Sequence, residues 1–153
     1  AALARRGLPL ASNQVHYSLL HRAPEVDGVL DACRELGVTL MAYSPLEQGL
    51  LSGKYRPGRA PAGPRAAQPS FRADNLLAAQ TVVAALREIG AAHGDARPEQ
   101  VALGWLRGKG PVLPIPGAKT GEQARVNAGA LSLRLSADEQ ERLDRLAEPW
   151  KRA

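Results

Sequence analysis

The amino-acid sequence predicts an α/β fold assembled from parallel βα units, and three observations carry that prediction. Three short β-rich runs are each followed by sequence with helical spacing, Gly7, Ser44-Pro45 and Pro116-Gly117 bound them, and polar or small residues gather at each end. No internal repeat is visible. Three parallel strands cannot close a barrel, and an open sheet of three leaves both edges unpaired. The pattern therefore fits either a small α/β layer protein or part of a larger barrel.

The first run, LPLASNQV at residues 8–15, follows Gly7 and reads as a buried strand entered through a turn. Residues 24–36 then set Val26, Val29, Leu30, Cys33 and Leu36 at helical spacing, with Pro24 suited to a first turn and Gly37 to the position after the last. VTLMAY, residues 38–43, is the second strand, stopped by Ser44-Pro45. Residues 47–74, dense in Gly, Pro and Arg, are far longer than an ordinary connection and read as a functional lid or a mobile linker. Residues 75–93 follow a helical pattern with Leu76, Leu77, Val82, Val83, Leu86 and Ile89 on or near one face, and residues 97–107 form a second helix opening at Pro98. The third strand is residues 112–115. The helix after it, residues 120–129, begins with Thr120 three positions before Gln123, the spacing of a capping box. A last helix starts at Ser136 with Glu139 three on, and carries Leu143 and Leu146.

Bulk properties narrow the function classes. A length of 153 residues with 44% hydrophobic side chains suits one modest domain with a folded core. The net charge of +5 is scattered, and aromatics at 4% supply few stacking platforms, so no nucleic acid is expected as a partner, whereas anionic small molecules suit the surface. Cys33 is the only cysteine, which rules out an internal disulfide or a Cys/His zinc cluster and fits a reducing compartment. No apolar run nears the roughly twenty residues of a membrane helix, no secretory signal opens the chain, and the start without Met leads us to expect a segment of something longer.

The candidate site follows from the strand ends, because ligands of α/β folds bind at the carboxyl ends of parallel strands. Asn13, Gln14 and Tyr17 follow the first strand, Tyr43 and Ser44 the second, and Gly117 and Lys119 the third; all are expected to share one face. Unpaired amides and the macrodipole make the helix start near Thr120 attractive to anions. Gly117 lets a phosphate approach the backbone and Lys119 adds a full positive charge. Tyr43 offers a ring face for a flat heterocycle, and Gln14 can bind an amide through its carbonyl and NH₂ groups. His16, His21 and His93 read as surface or packed histidines. Tyr17 and Tyr55 lack a nearby lysine–aspartate partnership that would lower a phenol pKa, and none of these five is assigned chemistry.

Three ordered stretches, NQVHYSLLHR from Asn13, AYSPLEQGLLSGKY from Ala42 and PIPGAKTGEQARVNAGAL from Pro114, resemble the C-terminal half of aldo-keto reductases of the bacterial and plant plastid type, including pyridoxal reductase-like proteins. The resemblance extends through essentially the whole chain and implies strands six to eight, with their helices, of a (β/α)8 TIM barrel that binds NADP(H) without a Rossmann fold. It places Gln14 at the nicotinamide carboxamide and Tyr43 on the nicotinamide ring. Ser44, Pro45, Leu46 and Gly49 lie along the pyrophosphate, Lys54 and Arg65 in the long loop that folds over the cofactor at residues 47–74, and Gly117, Lys119, Gln123 and Asn127 around the 2′-phosphate and adenine. Val126 stands where the family often has a glutamate against the adenine amino group, which shifts adenine recognition toward Asn127.

The same resemblance puts the family's catalytic aspartate, tyrosine, lysine and histidine in a half that these residues do not include. It therefore implies a chain that orients cofactor for reduction of a small aldehyde or ketone and is inactive alone. The alternative is a noncatalytic nucleotide-binding or regulatory module of the same fold, as in potassium-channel β subunits. By analogy the compartment is cytoplasm or plastid. Oligomeric state is not readable, and unpaired sheet edges imply aggregation or partial folding of such a segment in isolation.

Overall fold

Period-2 burial organises the centre of the molecule. In the computed structural model, which describes residues 5–151, the strands are β1 (Ser12–His16), β2 (Thr39–Tyr43) and β3 (Val112–Pro114). They form one parallel sheet in the order β1-β2-β3. Gln14 stands opposite Met41 and Met41 opposite Leu113, so these three share a row on one face, while Leu40, Ala42 and Val112 point to the other and are buried. The row face is open: Leu113 is 50% exposed and Tyr43 41%.

The helices are α1 (Val29–Glu35), α2 (Ala73–Ala92), α3 (Pro98–Arg107), α4 (Gly121–Gly129) and α5 (Ala137–Leu146). The apolar stripes of α1, α2, α3 and α5 meet Leu40 and Val112 in a core that includes Leu86, Val101, Trp105, Leu106 and Leu143, whereas α4 buries no residue. Several helix ends lie where the sequence put them. Pro98 opens α3, Ser136 and Glu139 exchange both bonds of a capping box at α5, and Gly37 closes α1 with φ +64° while the Val38 amide donates back to the Cys33 carbonyl at 2.9 Å. Among the described residues no helix is long and apolar enough to cross a membrane.

Four expectations are corrected. The first strand begins at Ser12, because β2 offers partners only from Thr39 onward; Leu8 and Leu10 are exposed. Helix α1 begins at Val29, not Pro24. Gly28 turns the chain at φ +82° and Asp27 accepts from the Val29 amide at 2.9 Å, so Val26 and Leu36 lie outside the apolar stripe and are exposed. Leu77 faces outward on α2, 65% exposed. Residues 47–74 are not structureless: 3₁₀ turns occupy Glu47–Ser52, Gly63–Ala67 and Pro69–Phe71, and buried Phe71 packs edge to face on Tyr55 at 5.3 Å.

Tyr17 does not share the strand-end face expected for it, but enters a buried polar knot. Tyr17 is fully buried against Trp105 and donates to Glu25 Oε1 at 2.7 Å. Arg22, 2% exposed, grips both Glu25 oxygens at 2.8 and 2.6 Å and donates to the Asp144 carbonyl at 2.8 Å. Lys109 and the Trp105 indole N–H converge on the Asp144 carboxylate.

Burial alone would raise the Glu25 carboxyl, but the bonds from Arg22 and Tyr17 and the Arg22 charge outweigh it and hold the carboxyl below its ordinary value of 4.5. A depressed carboxyl stabilises the fold above its unfolded value, and that contribution disappears as pH falls through the folded one. Thermal melts should therefore fall steeply below about pH 4.3. Glu25→Gln should be less stable at pH 7 and show a shallower acid limb; parallel limbs would contradict the assignment.

Candidate functional site

Because the sheet is parallel, all three strands end on one side, and the chain segments leaving β2 and β3 enclose a cleft of about 760 Å³. Ser44, Pro45, Leu46, Gly49 and Lys54 line it from the β2 side, with Arg65 beyond them. Gly117, Lys119, Gln123 and Asn127 line it from the β3 side. Those ten were singled out from the sequence. The structure brings them together.

The remaining two stand apart from the cleft lining. Gln14 is exposed in mid-strand on the open sheet face, and Tyr43 ends β2 with its ring stacked on His16 at 5.1 Å.

The β2 wall is built from strained backbone. Ser44, Glu47 and Gln48 all have positive φ, between 46° and 52°, a region that costs a non-glycine residue about 1–3 kcal/mol. Gly49 follows at φ +92°, and a Cβ there would meet Lys54 Nζ at 2.8 Å, so a side chain at this position would displace the lysine that lies along the wall. The turn is closed by the Glu47 amide on the Ser44 carbonyl and the Gly49 amide on the Leu46 carbonyl, each 2.9 Å. Underneath, Leu50 and Leu51 are buried. The glutamate is the surprise: Glu47 is 5% exposed, accepting from Ser18 Oγ at 2.8 Å and His16 Nε2 at 2.6 Å.

The β3 wall is a helix start. Thr120 Oγ1 accepts from the Gln123 amide at 3.2 Å, as its position as N-cap requires. The reciprocal arm differs from a standard capping box, because Gln123 Oε1 accepts from the Lys119 amide at 2.7 Å, one residue upstream of the cap. Among the described residues the Gly121 and Glu122 amides have no protein acceptor, so the positive end of α4 is open to an anion. Nothing lies within 4 Å of where a Gly117 side chain would begin, leaving bare backbone toward the cleft, and Asn127 Nδ2 donates across to the Gly117 carbonyl at 3.4 Å.

Several cleft residues escaped the sequence reading, among them two charged ones from outside the expected segments. Arg97 and Glu99 come from the start of α3, and Arg97 pairs with Glu122 of α4 at 2.9 Å. Pro98 marked that helix start, but no spacing in the sequence says that α3 and α4 begin side by side. Four cationic side chains, Lys54, Arg65, Arg97 and Lys119, thus face two carboxylates, Glu99 and Glu122. Tyr55 is a further correction. Slight burial raises its phenol, but the hydrogen bond from Arg65 and the Lys54 charge outweigh this and leave it below the ordinary tyrosine value. No group of His, Cys, Asp and Glu able to hold a metal occurs among the described residues.

Comparison with known proteins matches residues 1–148 to the model described as the aldo/keto reductase family. An uncharacterized oxidoreductase of Mycobacterium bovis is 43% identical over 148 residues, covering 97% of this chain and 45% of that protein. The chloroplastic pyridoxal reductase of Arabidopsis thaliana is 42% identical, with 95% and 39% covered. The chain thus spans less than half the length of these relatives. Among solved structures, a thermostable aldo-keto reductase, Tm1743, crystallised with the inhibitor epalrestat, superposes with a TM-score of 0.71 at 34% identity, covering 95% of this chain and 43% of that one. The three parallel strands and their helices correspond to a portion of a TIM barrel of this kind.

Proposed function

The chain belongs to the aldo/keto reductase family of oxidoreductases, and from that premise we propose that it binds and orients NADP(H) for the reduction of a small aldehyde or ketone to an alcohol. The observation that carries this reading is the meeting of a cationic helix start and a cationic loop across one cleft. An elongated polyanionic dinucleotide is the ligand such a donor set suits, and the cleft's size falls in the range of about 300–1,000 Å³ usual for small-molecule sites.

In this reading the Gly121 and Glu122 amides, Lys119 and the exposed Gly117 backbone hold the 2′-phosphate, with Asn127 at the adenine. The Ser44–Pro45–Leu46–Gly49 turn follows the pyrophosphate, and Lys54 and Arg65 close over it. Gln14 and Tyr43, on the sheet face beside the turn, take the nicotinamide carboxamide and ring. When bound, the nicotinamide supplies the hydride, and the protein's task is orientation.

In this reading Tyr17 is not the donor of a proton to the developing alkoxide. Tyr17 is buried with its hydroxyl committed to Glu25, and its phenol is raised by burial first and the Glu25 charge second. The role this reading gives the described residues is to orient the cofactor. Calorimetric titration with NADPH tests the reading: saturable binding with one site supports it, and absence of binding at millimolar cofactor overturns it.

A further inference from the structure

The buried Glu47 carboxylate has no place in the assignments above, yet it sits under the strained turn that is central to them. Resting on the reading of residues 44–49 as the pyrophosphate wall, we propose that His16 is a positioning residue for cofactor binding, which holds that turn in its left-handed backbone through its bond to Glu47.

The argument is geometric. Glu47 occupies φ +46°, and its neighbours Ser44 and Gln48 occupy +49° and +52°. Three non-glycine residues in that region relax unless something over-determines them. Glu47 is also buried, so its carboxylate must be satisfied inside the protein or the turn must swing outward to water. Its partners are His16 at 2.6 Å and Ser18 at 2.8 Å, both from the segment that leaves β1. Ser18 is itself fixed: its hydroxyl accepts from the Leu20 amide at 3.1 Å and its backbone bridges to His21. The turn is therefore fastened to the end of the neighbouring strand and not only to its own.

His16 has little freedom to leave. Its ring lies between His21, centroid distance 3.9 Å and interplanar angle 10°, and Tyr43 at 5.1 Å and 17°. The column aims Nε2 at Glu47 while backing the tyrosine proposed to meet the nicotinamide. One imidazole thus couples the ring platform to the phosphate wall, and neither element alone would fix their separation.

Two substitutions separate the bond from the stacking. His16→Phe keeps an aromatic ring in the column and removes the donor to Glu47, whereas His16→Gln supplies a donor without the ring. Dissociation constants for NADPH and for adenosine 2′-monophosphate are measured on the protein and both variants, with amide hydrogen exchange over residues 44–52 as the cofactor-free readout. The expected result is about tenfold weaker NADPH binding in His16→Phe, recovery to within about twofold in His16→Gln, and unchanged 2′-monophosphate affinity, since that ligand occupies only the Lys119 end. Exchange over residues 44–52 should quicken in His16→Phe alone.

NADPH binding by His16→Phe at wild-type strength, or His16→Gln as weak as His16→Phe, overturns the proposal. Failure of the unsubstituted protein to bind NADPH instead sinks the cofactor reading. The exchange comparison then still decides the clamp, since equal exchange in all three proteins rejects it.

Discussion

Arg22→Ala is expected to destabilise the protein by about 3–5 kcal/mol, the cost of breaking a buried ion pair from one side. The loss has three parts. Glu25, whose side chain is 10% exposed, keeps only the Tyr17 hydroxyl. The Asp144 carbonyl loses its donor, and the face of Trp105 loses the guanidinium 5.4 Å from its centroid. Set against a typical domain stability of about 5–15 kcal/mol, this leaves a protein close to its unfolding threshold. Arg22→Lys should recover little, because one ammonium cannot reproduce the fork that meets both Glu25 oxygens and the Asp144 carbonyl. The Arg22→Met, Glu25→Gln pair should be better tolerated than Arg22→Ala, since no buried charge is left without a partner. Urea unfolding of the three variants checks the order; a loss under about 1 kcal/mol in Arg22→Ala would show that the knot is dispensable.

Lys119→Ala carries the second large effect. A charge-assisted contact is worth about 1.5–3 kcal/mol, so NADPH affinity should fall about tenfold to a hundredfold while NADH affinity stays within about twofold. Lys119 is exposed, so raising the salt concentration should narrow the gap between wild type and variant. Equal weakening of both cofactors would place the lysine elsewhere than at the 2′-phosphate. No change in either would remove it from the site.

The features readable in the sequence are those whose causes are local. Thr120, Ser136, Pro98 and Gly37 announce helix ends because capping chemistry spans a few residues. VTLMAY announces a strand because its own side chains favour a half-buried pleat. The cap that opens α4 beside Gly117 and Lys119 belongs to the same class.

What escaped depends on partners distant in the chain. Leu8 and Leu10 look like strand, yet among the described residues no strand pairs with them. Glu47 looks like a loop charge, but becomes a buried acceptor because His16 and Ser18, 31 and 29 residues earlier, fold beneath it. Tyr17 turns inward because Glu25 and Trp105 receive it, and Arg97 reaches the cleft because α3 and α4 start together. The ten residues named from the resemblance line one cleft, but the resemblance showed neither the turn that shapes it nor the histidine beneath it.

The central claim is that the ends of β2 and β3 grip one dinucleotide, and backbone amide resonances followed during NADPH addition test it most directly. The account predicts shifts concentrated at residues 44–54 and 117–127, with the Gly121 and Glu122 amides moving downfield and failing to do so when NADH replaces NADPH. Shifts confined to other surfaces, or a silent α4 start under saturating NADPH, would contradict it.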